Sequence, residues 1–185
     1  MKTRDITLSA LMIAVLAICS QLSIPIGPIP ITLQTFAVLL IGMILPSKHA
    51  FIVTSAYLLL GLIGFPVFAN GSGGIQSFLS PAFGFAIGFI PAATLMARFI
   101  EKKSQPTLRN YLIASLIATL VLYSIGLSYM SFILNVVLGA QMTLSQVLMA
   151  GMLPFLPGDI LKIIFSIVVA QRLRAPLQAT ISHSL

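Results

Sequence analysis

Three stretches of this chain contain almost no charge, and they limit what it can fold into more than any other feature. Residues 6–47 carry no charged side chain, residues 110–158 carry none, and residues 49–97 carry none apart from a protonatable His49. Charged residues make up 7% of the chain and hydrophobic ones 58%, against about 25% and 45–50% in a soluble globular domain. A membrane-crossing helix needs about 20 apolar residues, so 185 residues hold six comfortably. The reading is an all-α integral membrane protein, with residues 1–185 forming one membrane domain and no soluble domain attached. The net charge of +7 does not point to nucleic acid, because the cations stand singly at the ends of apolar runs, as topology determinants do. The single cysteine, Cys19, excludes an internal disulfide and a cysteine-cluster metal site.

Breaks at proline, glycine and polar clusters divide the chain into six transmembrane helices, over about residues 6–24, 32–45, 49–65, 81–100, 110–138 and 157–173. Lys2 and Arg4 before the first span resemble a signal peptide, but its apolar run is long enough to cross and everything downstream is equally apolar. It is therefore expected to be retained as the first helix. The second span is short, which places the proline segment before it against protein at membrane depth. The fifth is long enough to tilt or break near Gly126, and the sixth follows a polar, proline-containing entry that starts at Gly139. With this count Lys2, Arg4, Lys48, Arg98, Lys102, Lys103, Arg109, Arg172 and Arg174 all fall on one side. The positive-inside rule makes that side cytoplasmic, with both termini on it. The loops at 25–31, 66–80 and 139–157 then face outward.

Asp159 and Lys162 are the charges left at membrane depth. Each costs about 2.5–3.5 kcal/mol to insert alone, and at a spacing of three they share one helix face. The bland readings are a self-neutralising ion pair, or an acid that caps the last span's first turn. The functional reading is a ligand site: Lys162 meets an anion and Asp159 accepts ligand N–H groups. A buried pair gains little over an apolar one, which favours the functional reading. Irregular outward loops and intramembrane charge then converge on one externally facing pocket, the geometry of solute capture.

Ala10, Ala14 and Ala17 form a small-residue stripe on the first span, which suits either packing inside the bundle or docking to another membrane subunit. Gly84 and Gly88 form a Gly-xxx-Gly pair read as internal packing. Enzyme readings fail on the residues. No lysine follows a glycine, so the phosphate-binding Walker pattern is missing. An intramembrane aspartyl protease needs two aspartates, and His49 and His183 fall at the cytoplasmic ends, away from any serine at the pocket. Ser72, in a Gly-rich stretch, is read as part of a flexible outer loop. No catalytic residue, cofactor or metal site is expected.

Four stretches resemble one family: Gly27-Pro28-Ile29-Pro30-Ile31-Thr32-Leu33-Gln34-Thr35, the run from Tyr57 through Gly61, Gly64 and Pro66 to Ala69, Ser80-Pro81-Ala82-Phe83-Gly84, and Pro157-Gly158-Asp159-Ile160-Leu161-Lys162. The chain is similar to the BioY family, the biotin-specific substrate-capture (S) components of energy-coupling-factor transporters. It departs from the family pattern in the more polar loop at Asn70-Gly71-Ser72-Gly73-Gly74 and at Ala82. The resemblance implies a six-helix subunit of the bacterial cytoplasmic membrane that binds biotin from outside. It also implies that the Ala10/Ala14 face docks on a membrane coupling (T) subunit driven by two cytoplasmic ATPases, which would hydrolyse the ATP. On that reading Asp159, Lys162, Gln34, Thr35 and Asn70 supply polar contacts to biotin, and Phe83 and Tyr129 apolar walls, with either end of the ligand at either charge. Two other readings stay beside it: a self-sufficient secondary carrier for a small amphipathic anion, and a scaffold subunit in which Asp159 and Lys162 only pair.

Overall fold

The computed structural model describes residues 3–25 and 27–182, with side chains from Asp5 to Pro25 and from Gly27 to Leu173. Six helices answer to the six predicted spans: α1 (Thr3–Gln21), α2 (Gln34–Ile44), α3 (Ser47–Leu62), α4 (Phe83–Glu101), α5 (Leu108–Phe132) and a final helix over Leu156–Ser182. A short helix over Leu144–Gly151 precedes the last one, so these two are α6 and α7. Among the described residues, α4 and the 30-residue run of α5 with its extension to Val137 are each long and apolar enough to cross a membrane. The pair α6–α7, bent by 46°, qualifies together, and α1, α2 and α3 supply shorter apolar helices.

Local chemistry sets the element ends. Pro46, which has no N–H to leave unpaired, sits just before α3. Thr107 and Asn110 cap α5 reciprocally: Thr107 N donates to Asn110 Oδ1 at 3.0 Å and Asn110 N to Thr107 Oγ1 at 3.4 Å. Thr143 and Gln146 repeat that device at α6, and Asn135 clamps the preceding turn by accepting from Met142 N at 2.5 Å. These caps explain a helix in the segment read from sequence only as a polar entry. Gly126 also departs from expectation. The helix α5 runs straight through it, because the missing Cβ leaves room for the Phe85 ring, 2.5 Å from where that Cβ would stand. The winding changes later, in a π-helical turn over Ile133–Val137.

The bundle is built around α2 and α4. Every residue from Ala37 to Met43 is buried, so α2 is apolar all round and touches α1, α4 and α7. Gly84 and Gly88 face α5. An added Cβ at Gly84 would overlap Tyr129, so the pair is internal packing. Two of the buried hydroxyls are satisfied by backbone: Thr54 donates to Ala50 O and Ser115 to Tyr111 O, each at 2.8 Å.

The two ends of the bundle differ in character. At one end Ser47, beside Lys48, donates through both N and Oγ to Glu101 at 2.8 Å, and Asp5 lies 3.9 Å from His49. The start of α1, the α2–α3 turn and the α4–α5 turn therefore gather there with Arg98, Lys102, Lys103 and Arg109. Lys2 and His183 lie outside the described residues, as do the side chains of Arg4 and Arg174. At the other end a two-residue antiparallel ribbon pairs β1 (Ser23–Ile24) with β2 (Ile31–Thr32). Its turn packs Ile29 against Met130, Leu134 and Val147, so the proline segment is held against protein as its sequence implies.

Candidate functional site

Under that ribbon lies a cavity of about 580 Å³, within the size range of small-molecule sites. The ribbon turn from Gly27 to Pro30 and the loop from Phe68 to Gly73 border it on one side. Phe83, Phe85 and Phe89 of α4 and Leu122 and Tyr123 of α5 form apolar wall, and Gln34, Thr35, Asp159 and Lys162 line it with polar groups.

The charged pair sits in the first two turns of α7. Pro157 occupies the first turn, where its missing N–H costs nothing, and Asp159 N reaches Phe155 O at 2.8 Å. Asp159 and Lys162 are 5% and 7% exposed. Lys162 Nζ donates to Asp159 Oδ1 at 3.0 Å, as the spacing of three predicts, and Tyr123 Oη donates to Oδ2 at 2.5 Å. The carboxylate is thus held by two side chains from α5 and α7 rather than spent on capping its own helix. Lysine has three N–H donors. One is used here, and among the described residues the other two meet no protein acceptor.

Tyr123 belongs to the site although sequence reasoning did not single it out. Its ring stands edge-on to Phe85 at 6.0 Å, and Phe85 in turn fills the space over Gly126. A bond from a hydroxyl to a buried carboxylate is worth about 1.5–3 kcal/mol. Tyr123→Phe is therefore expected to lower the melting temperature in detergent by that much in free energy; an unchanged melt would show that the contact carries no weight.

The remaining predicted residues divide clearly. Gln34 is fixed from both sides: its Nε2 donates to Tyr57 Oη at 2.7 Å and its Oε1 accepts from Thr32 Oγ1 at 2.9 Å. Asn70 has φ of 59°, a left-handed conformation asparagine tolerates. Its Oδ1 accepts from Ser23 Oγ at 2.7 Å, which ties the loop to the ribbon. Thr35 and Phe83 line the cavity directly. Tyr129 does not: it stands one layer back, its ring 6.0 Å from Phe83 and its hydroxyl donated to Phe78 O at 2.6 Å. The reason is rotation, since at 100° per residue two positions six apart point about 120° from each other on a helix. Tyr123 takes the cavity face and Tyr129 the α4 face.

The loop bordering the cavity is latched to α1. Ser20 Oγ donates to Val67 O at 2.6 Å, and Gln21 Nε2 to Pro66 O at 3.2 Å and Phe68 O at 3.1 Å. Phe68 lies over Gly61, where any Cβ would overlap its ring. On the same helix Ala10 and Ala14 are exposed on the outer face of the bundle, beside Leu11 and Ile18, while Ala17 is half-buried.

Chemically the cavity offers an apolar, aromatic body and a compact neutral cluster of phenol, carboxylate and ammonium. That suits an amphipathic small molecule carrying both donors and acceptors at one end. Comparison with known proteins narrows the class. Residues 1–179 match the BioY family. A probable biotin transporter BioY of Pyrococcus horikoshii is 36% identical over 174 residues, covering 94% of this chain and 98% of that one. The biotin transporter BioY of Thermotoga maritima is 30% identical over 171 residues, covering 92% and 96%. The crystal structure of an S-component for biotin from an ECF-type ABC transporter is similar in fold, with a TM-score of 0.83 at 34% identity, covering 94% of this chain and 92% of that one.

Proposed function

Because this chain belongs to the BioY family, we propose that it is the biotin-capturing membrane subunit of an energy-coupling-factor transporter. The observation that carries this reading is the buried Tyr123–Asp159–Lys162 cluster at the edge of an aromatic cavity. Biotin has a ureido ring with two N–H donors and a carbonyl acceptor, an apolar thiophane and chain, and a carboxylate at the far end. With Asp159 and Lys162 only 3.0 Å apart, one end of the ligand meets both. The ureido group is the better match, since Asp159 accepts its N–H and Lys162 donates to its carbonyl. A carboxylate placed there would face Asp159 as a like charge. Phe83 and its aromatic neighbours take the apolar body, and Gln34, Thr35 and Asn70 supply the remaining polar contacts.

Small-molecule mass spectrometry of the purified protein tests the substrate. Released biotin is expected, whereas a scaffold subunit releases none.

The coupling partners follow from the same family premise. We place a membrane coupling subunit on the outward face of α1 at Ala10 and Ala14, where small side chains let another helix come close, with two ATPases on the cytoplasmic side. Ala14→Trp is expected to leave biotin binding by the isolated protein intact while abolishing uptake and co-purification of the partners. Uptake that persists without the ATPases would favour a lone carrier instead.

We read the cationic end as cytoplasmic, with the cavity opening outward, which the positive-inside rule supports. In a variant with Cys19 replaced, a cysteine at Ser72 should label from outside and one at Ser104 only after permeabilisation. The reverse pattern would turn the cavity inward.

A further inference from the structure

A second concavity, of about 250 Å³, lies at the cationic end between α4 and α5, away from the biotin cavity. Its floor is Met96 and Ala114, which are 1% and 0% exposed. Leu95 and Ile117 are exposed along its sides, and Arg98 in the last turn of α4 and Lys102 at its C-cap stand exposed at its mouth. Along α4 the groove thus passes from apolar at Leu95 to cationic at Lys102.

Among the described residues these two cations have no internal counter-ion. There are three acidic residues in all. Asp159 holds Lys162, Glu101 is engaged by Ser47 of the neighbouring helix, and Asp5 lies against His49. Among the described residues neither Arg98 nor Lys102 has a carboxylate within ion-pairing distance, so both are placed to meet an anion from outside the chain. The apolar flank adds a second requirement, since a free anion would leave Leu95 and Ile117 uncovered.

We propose that this groove binds one anionic phospholipid of the cytoplasmic leaflet, its phosphate on Arg98 and Lys102 and an acyl chain along Leu95 and Ile117. An amphipathic ligand matches the gradient of the groove, and basic pockets between helices on the cytoplasmic side suit anionic headgroups. The inference rests on the cytoplasmic orientation proposed above and is independent of what the outer cavity binds.

Native mass spectrometry of the full chain in detergent, titrated with phosphatidylglycerol or phosphatidylcholine, tests it. One phosphatidylglycerol should be retained preferentially. Arg98→Gln with Lys102→Gln should weaken that retention roughly ten- to thirty-fold and leave biotin binding unchanged. Ala114→Leu, which keeps the charges and fills the floor, should weaken it as well; if that variant fails to fold, the charge pair alone decides. Equal retention of the two lipids, or retention unaffected by the charge variant, overturns the proposal. So does stabilisation by inorganic phosphate equal to that by the lipid, which would make this a plain anion site. Loss of a co-purifying protein partner with lipid retention unchanged would make the groove a protein interface and overturn it too.

Discussion

Lys162→Met is expected to destabilise the protein by about 3–5 kcal/mol and to abolish measurable high-affinity biotin binding. The stability cost arises because Asp159, 5% exposed, would be left with Tyr123 as its sole side-chain partner, and removing one member of a buried pair strands the other. The double variant Asp159→Asn with Lys162→Met separates structure from function. With no charge left, most of the stability should return, because a neutral buried pair is often as stable as an ionic one. Binding should not return, because the amide cannot replace the carboxylate and ammonium together. Thermal melts paired with biotin titration measure both. Recovery of binding in the double variant would show that the pair merely neutralises itself.

Gly84→Val is the second change with a large expected effect, about 3 kcal/mol, at the upper end for overpacking a well-filled core. Even a Cβ at Gly84 overlaps Tyr129 at its Cβ, the least movable part of that side chain. Tyr129 cannot swing away cheaply, since its hydroxyl is held by Phe78 O at 2.6 Å. The helices would have to part beside Phe83, in the cavity wall, so biotin affinity should fall as well. Gly88→Ala is the internal control: its nearest neighbour is the flexible Cδ1 of Leu122 at 3.0 Å, and less than about 1 kcal/mol is expected. Equal melting shifts for Gly84→Ala and Gly88→Ala would refute this asymmetry.

What could be read from the residues follows from how strongly the bilayer restricts them. Lone charges at depth are so costly that Asp159 and Lys162 stood out unaided, and their spacing fixed their contact. Segment ends were legible wherever proline or glycine marks them. Tyr123 was not, because four tyrosines occur in the chain and only the rotation of α5 decides between Tyr123 and Tyr129. The helix α6 was missed because its cap, Thr143 with Gln146, and the Asn135 that clamps the turn before it are ordinary polar residues that read as loop. Gly126 was read as a place where the fifth span could tilt or break, yet it accommodates Phe85; an empty Cβ position reveals its purpose only when the opposing side chain is known.

The brevity of α2 bears on how far a solute has left to travel. Eleven residues rise about 16 Å, roughly half of a 30 Å hydrocarbon layer. Gln34, which lines the cavity, starts that helix, and Ser47 at the cationic end lies just beyond its finish. With the cavity opening outward as proposed, a molecule resting beside Gln34 has already crossed about half the membrane's thickness along this helix. The remaining barrier is a plug of side chains from Ala37 to Met43. Release inward then calls for a short displacement past one helix, or a tilt of the whole subunit, rather than passage through a channel as long as the bilayer is thick.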